Sequence, residues 1–188
     1  SRIFELVPHL IRKPILEGGI VNSAVGSIYS YYIQSETSKN CAGFPEIVKP
    51  TTFNMTNATR HLELFNVKHF IACWTQTQEA LDHSPAWKFK AACRRWQLYE
   101  LTTHDGRYVT IPAFAPVPVR VADWKASSLE WLYKLDAVDK PFVLLDADTR
   151  WSDNRTAPVP EEAFRAWLKD PAGTPEVTSL FTPVATAG

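Results

Sequence analysis

Hydrophobic and polar positions along this chain follow two periods. Ala58, His61, Leu62 and Phe65 recur at helical spacing, with Thr56 or Asn57 placed to cap the helix and Asn66 to end it. His61 falls on that stripe and is expected as a packed residue rather than a metal ligand. In VKHFIACW the period shortens to two, with Val67, His69, Ile71 and Cys73 alternating against Lys68, Phe70 and Ala72, which predicts a strand. Thr75-Gln-Thr-Gln78 reads as a capping box opening a second short helix through Leu81. WKFKAACR then alternates Trp87, Phe89, Ala91 and Cys93 against Lys88, Lys90 and Arg94, predicting one buried and one basic, wet face. WQLYELT, the turn signal His104-Asp105-Gly106 and the following RYVTIPAF predict an antiparallel hairpin.

Three prolines confine PAFAPVPVRV to an edge or extended segment without a full hydrogen-bond ladder. Asp123 is placed to cap a helix with Trp124, Ser128, Trp131, Leu132 and Leu135 on one stripe, the tryptophans as anchors to a sheet. PFVLLDA predicts another buried strand, and Pro160-Glu161-Glu162 starts a last helix with Phe164, Trp167 and Leu168 inward. The pattern predicts an α+β fold, a mixed and mainly antiparallel sheet with short helices packed on it. Residues 1–55 are expected as an irregular or helical segment packed on the core, 56–170 as the core domain and 171–188 as a flexible tail.

Composition narrows the function. Twenty basic and twenty acidic side chains cancel, which leaves no global field to attract nucleic acid. Seven Trp, ten Phe and six Tyr are many for 188 residues; they supply core area first and stacking platforms for sugars second. No run reaches the roughly 18 apolar residues of a membrane span, and the N-terminus has no signal-peptide pattern. A start without Met and the soft end PEVTSLFTPVATAG suggest a piece of a longer chain. Cys41, Cys73 and Cys93 show no CxxC spacing and the five histidines no HxH or HExxH grouping, so a zinc site is not expected. Cys73 and Cys93 fall on the apolar side of their strands and are expected as buried thiols, with a bridge between neighbouring strands as the lesser reading. Gly18-Gly19 lacks the strand and the Lys-Ser or Lys-Thr of a phosphate loop. The sequons at Asn54, Asn57 and Asn154 matter only in a secretory pathway.

The stretch with the sharpest chemistry is PFVLLDADTRW. A strand that stops at Asp146-Ala147-Asp148 places two carboxylates where hard oxygen ligands would hold Mg²⁺ or Mn²⁺ against a diphosphate, as in nucleotide-sugar transferases. The competing reading is ordinary: aspartate after a strand caps nearby backbone amides. The parallel α/β half that such a transferase needs is not visible upstream, so the capping reading is favoured. No GxSxG elbow is present, and Glu161-Glu162 at a helix start is explained by the macrodipole.

RHLELFNVKHFIACW, then a spacer with Trp87, RWQLYELTTHDGRYV and a Pro-Val segment leading to a tryptophan-bearing helix, resembles the soluble portion of large bacterial multi-spanning membrane proteins. That group includes membrane relatives of 6-pyruvoyl-tetrahydropterin synthase and of GT-C type glycosyltransferases; the likeness covers about residues 56–135. It implies an extracytoplasmic domain attached to a membrane-embedded region of the same polypeptide, with catalysis outside this segment. The chain lacks the His-x-His and third His of the pterin enzyme's zinc site, which speaks against that activity. The leading expectation is a noncatalytic accessory domain, free of cofactor, that binds or orients a glycan or lipid-linked sugar. Trp74, Trp96 and Asp105 are its candidate contacts. The alternatives are a metal-dependent transferase with Mg²⁺ or Mn²⁺ on Asp146 and Asp148, and a purely structural domain.

Overall fold

The computed structural model describes residues 12, 26–39, 46–105, 107, 111–152 and 156–184. Gly18-Gly19, Cys41, Gly106 and Asn154 lie outside them. The chain divides into two compact units, Ser1–Tyr108 and Val109–Gly188. Among the described residues are six helices, a three-stranded antiparallel sheet and a two-stranded parallel sheet, an α+β fold.

The first unit holds α1 (Ser27–Thr37), α2 (Met55–Leu64), β1 (His69–Ala72), α3 (Thr75–Asp82), β2 (Trp87–Cys93) and β3 (Trp96–Leu101). Asn54, rather than Thr56 or Asn57, caps α2: its side chain accepts from the Asn57 amide. The stop does fall at Asn66, which takes a positive φ of 56°. Its amide donates to Glu63 and that of Val67 to Leu62, the paired bonds of a Schellman end. Asn tolerates this left-handed conformation better than most side chains. The capping box at Thr75 does not form. Trp74 occupies the cap position without a side-chain bond, and Gln78 Nε2 donates instead to the carbonyls of Ala72 and Arg95.

The sheet order is β1-β3-β2. The hairpin joins β2 to β3 through Arg94-Arg95, with Cys93 opposite Trp96. The expected pairing of WQLYELT with RYVTIPAF is not what β3 uses, since both its neighbours precede residue 94; residues 108–110 of that arm lie outside the described ones. One sheet face carries Phe70, Ala72, Trp87, Tyr99 and Leu101 into a core shared with Leu62 of α2 and Leu81 of α3. Tyr99 is fully buried and its hydroxyl donates to Asp82, 2.8 Å away; burial and then this carboxylate push its pKa above the usual tyrosine range.

The alternation expected of β2 fails. Only Trp87 is buried; Phe89 is half exposed and Ala91 and Cys93 are exposed. A bulge between Phe89 and Ala91 inserts Lys90 as an extra residue, which moves Ala91 and Cys93 to the other face, while Phe89 keeps its place opposite Tyr99 on a strand at the edge of the sheet. Cys93 is therefore an exposed thiol rather than a buried one and Cys73 is half-buried; both are free.

In the second unit β4 (Val117–Arg120) leads through α4 (Trp124–Leu132) to β5 (Phe142–Leu145), followed by α5 (Glu161–Lys169) and α6 (Pro175–Thr178). Asp123 caps α4 as expected, accepting from the amides of Lys125 and Ala126. The α4 crossover returns the chain so that β5 runs parallel to β4, a correction to the antiparallel setting expected for the strand before Asp146. A further parallel bridge joins Val119 to Val159 and puts β4 between two partners. Val117 and Val121 donate toward β5, and Arg120 toward Val159. By alternation Pro118 faces the side where only a single bridge forms, so its missing N–H costs no ladder bond. Phe164, Trp167 and Leu168 are buried as the stripe predicts. The stretch 171–184, read from sequence as tail, carries α6 and buries Val177 and Phe181 in the same core.

Candidate functional site

The seven tryptophans sort by what holds their indoles. Trp87 donates to Thr59, Trp131 to Ala137 and Lys140, Trp151 to Thr156 and Trp167 to Thr178, each bond inside its own unit. Trp124 packs half-buried against the second core. Trp96 is half-buried at the start of β3, with the Arg95 guanidinium 5.3 Å above its ring. Trp74 is 51% exposed and is the only exposed tryptophan.

Register brings two of the sequence candidates together. β1 ends with Ala72 opposite Gln97, and β3 begins one residue earlier at Trp96. Trp74, two residues beyond Ala72, thus shares this end of the sheet with Trp96 and the Arg94-Arg95 turn. The two Gln78 bonds tie the start of α3 to that turn and fix the grouping. Asp105 lies past Leu101, at the opposite end of β3, where it pairs with the Arg107 side chain at 3.4 Å and accepts from the Arg107 amide. It is no part of the Trp74–Trp96 grouping. Arg94, expected on a wet basic face, and Arg95, which the sequence pattern does not single out, belong to it instead.

The Asp146-Ala147-Asp148 stretch does different work. Asp146 Oδ1 accepts from the Thr149 amide at 2.8 Å and from the Thr149 hydroxyl. These bonds, led by the hydroxyl and followed by the Thr149 and Asp148 amides and the Arg120 charge, hold its carboxyl below the usual range. Arg120 from the end of β4 donates to the carbonyls of Asp146, Ala147 and Thr149 at 2.7, 3.0 and 3.2 Å. Glu161, at the same edge of the parallel pair, accepts from the Ala122 amide and from Arg165, and its carboxyl too is lowered, first by the amide. The aspartate is thus engaged in capping its own loop. Among the described residues, no group of three or more His, Cys, Asp or Glu side chains is arranged to hold a metal ion.

A depressed carboxylate pKa stabilises the fold above the ordinary value, near about 4, and that contribution is lost as pH falls through the lower native value. Acidification through that window is expected to loosen the 146–149 turn, seen as faster amide exchange at Asp148 and Thr149. Asp146→Ala should show the same fast exchange at neutral pH. A turn indifferent to both would contradict the capping assignment.

No family model, curated protein or solved structure matches this chain.

Proposed function

We propose that the first unit is a noncatalytic binding module that holds a glycan at the Trp74–Trp96 end of its antiparallel sheet. The observation that carries this reading is the sorting of the tryptophans: Trp74 stands exposed at the strand-to-helix junction, at the end of the sheet where β3 begins with Trp96. Sugars present C–H faces to aromatic rings and hydroxyls to the polar groups around them, and Gln76 lies in the first turn of α3 at this end. In the wider reading the module is extracytoplasmic and serves a membrane-embedded, glycosyltransferase-like region of the same polypeptide, with a polymer or lipid-linked sugar as its ligand. Among the described residues, no helix is long and apolar enough to cross a membrane. The capping role of Asp146 favours this over metal-dependent transfer on Asp146 and Asp148.

A glycan-array screen of the chain, followed by titration of the best hit, tests the proposal. Trp74→Ala is expected to weaken binding by about tenfold or more, the equivalent of one good aromatic contact, and to leave the melting temperature unchanged because the ring is exposed. Uniform silence on the array would favour the purely structural alternative.

A further inference from the structure

We infer that the ligand held at this end of the sheet is an acidic glycan, its carboxylate met by Arg94 and Arg95; the inference rests on the glycan-binding reading above. The two guanidiniums are adjacent in the β2–β3 turn and exposed. Among the described residues neither has a carboxylate partner, whereas two lysines of this sheet are engaged. Lys68 and Lys90 both pair with Glu100, at 3.4 and 2.7 Å, and hold its carboxyl below the usual range, Lys90 foremost. The strand residues at the aromatic end are Ala72, Trp96, Gln97 and Cys93, none of them acidic. On α3, Asp82 accepts from Tyr99, and exposed Glu79 pairs with neither arginine.

Charge and stacking are combined in one place. Arg95 lies over the Trp96 ring, an arrangement that holds its planar fork while leaving its N–H donors available. Arg94 takes a positive φ of 54°, which a glycine or asparagine would adopt more readily. A guanidinium fork matches a carboxylate in two parallel hydrogen bonds, and the exposed Trp74 ring offers the stacking face for the sugar that bears it. A single-stranded nucleic acid also stacks and carries charge. It needs a basic track several nucleotides long, however, and two of the lysines that would extend this one, Lys68 and Lys90, are paired with Glu100.

The test titrates the full chain with a short oligogalacturonate, with its fully methyl-esterified counterpart and with oligodeoxythymidylate, following tryptophan fluorescence. The acid is expected to bind at least about tenfold more tightly than the ester, with the preference shrinking as salt is raised. Arg94→Gln with Arg95→Gln should abolish the difference in affinity between the acid and the ester. Arg95→Lys should restore part of the preference, and far-UV circular dichroism should show each variant folded. Equal binding of acid and ester, untouched by the arginine substitutions, would overturn the acidic-ligand inference and leave the glycan reading standing. Failure of both sugars to bind would remove both. Tighter binding of the oligonucleotide would replace the acidic glycan by a nucleic acid.

Discussion

Glu36→Leu is expected to destabilise the first unit by about 3–5 kcal/mol, the cost of breaking a buried pair by removing one partner. Glu36 on α1 and His61 on α2 are both fully buried, and Glu36 Oε2 lies 2.7 Å from His61 Nδ1. Tyr32 packs edge-on against the imidazole, with ring centroids 5.7 Å apart. The substitution takes from a buried imidazole the carboxylate it faces. The other carboxylate oxygen, Oε1, is buried and has no hydrogen-bond partner among the described residues, so the pair does not repay its desolvation in full. Glu36→Leu combined with His61→Leu is therefore expected to recover most of the loss. The pair then specifies how α1 meets α2 more than it adds stability. Thermal melting and amide exchange in α2 across the double-mutant cycle measure this; a double variant no more stable than the single one would show that the pair is net stabilising.

Trp167→Ala is expected to cost the second unit about 3–5 kcal/mol, as for other large-to-small changes at buried aromatic sites. Trp167 is 2% exposed. Its ring meets Phe142 of β5 at 5.3 Å and Phe181 at 5.3 Å, and Phe142 in turn meets Phe164 at 4.7 Å. Its indole also donates to Thr178, so truncation breaks a link between α5 and α6. Because the chain has two units, one melting temperature would average them, and amide exchange in β4 and β5 is the better probe. Unchanged protection there would mean that the aromatic cluster is not what holds these strands.

Much of the local architecture was legible, and where legibility failed the reason is physical. Asn66 as a helix stop and Asp123 as a cap rest on interactions within a few residues, and the Phe164–Trp167–Leu168 stripe on the helical period, all of which sequence spacing encodes directly. The face of β2 was misread because the Lys90 bulge adds a residue that no periodicity reveals. The Arg94-Arg95 turn stayed hidden because an arginine, not a glycine or asparagine, carries the positive φ, and the more conventional signal at His104-Asp105-Gly106 drew the hairpin to the wrong arm. That one misplacement put Asp105 among the binding candidates and left the two arginines out. His61 was recognised as packed, but its partner lies 25 residues away on another helix, beyond any spacing rule. The parallel setting of β5 was obscured by the prolines in and before β4, of which Pro118 is accommodated by facing a single bridge.

The claim on which the functional account turns is that Trp74 and Trp96 receive the ligand while the other tryptophans are structural. Nitrogen-15 labelled protein titrated with the oligosaccharide selected by the array reports this through the seven indole resonances. The account predicts shifts at Trp74 and Trp96, with Trp87, Trp124, Trp131, Trp151 and Trp167 still. Shifts confined to Trp151 and the Asp146–Thr149 turn, arising only when Mn²⁺ and a nucleotide sugar are added, would contradict it.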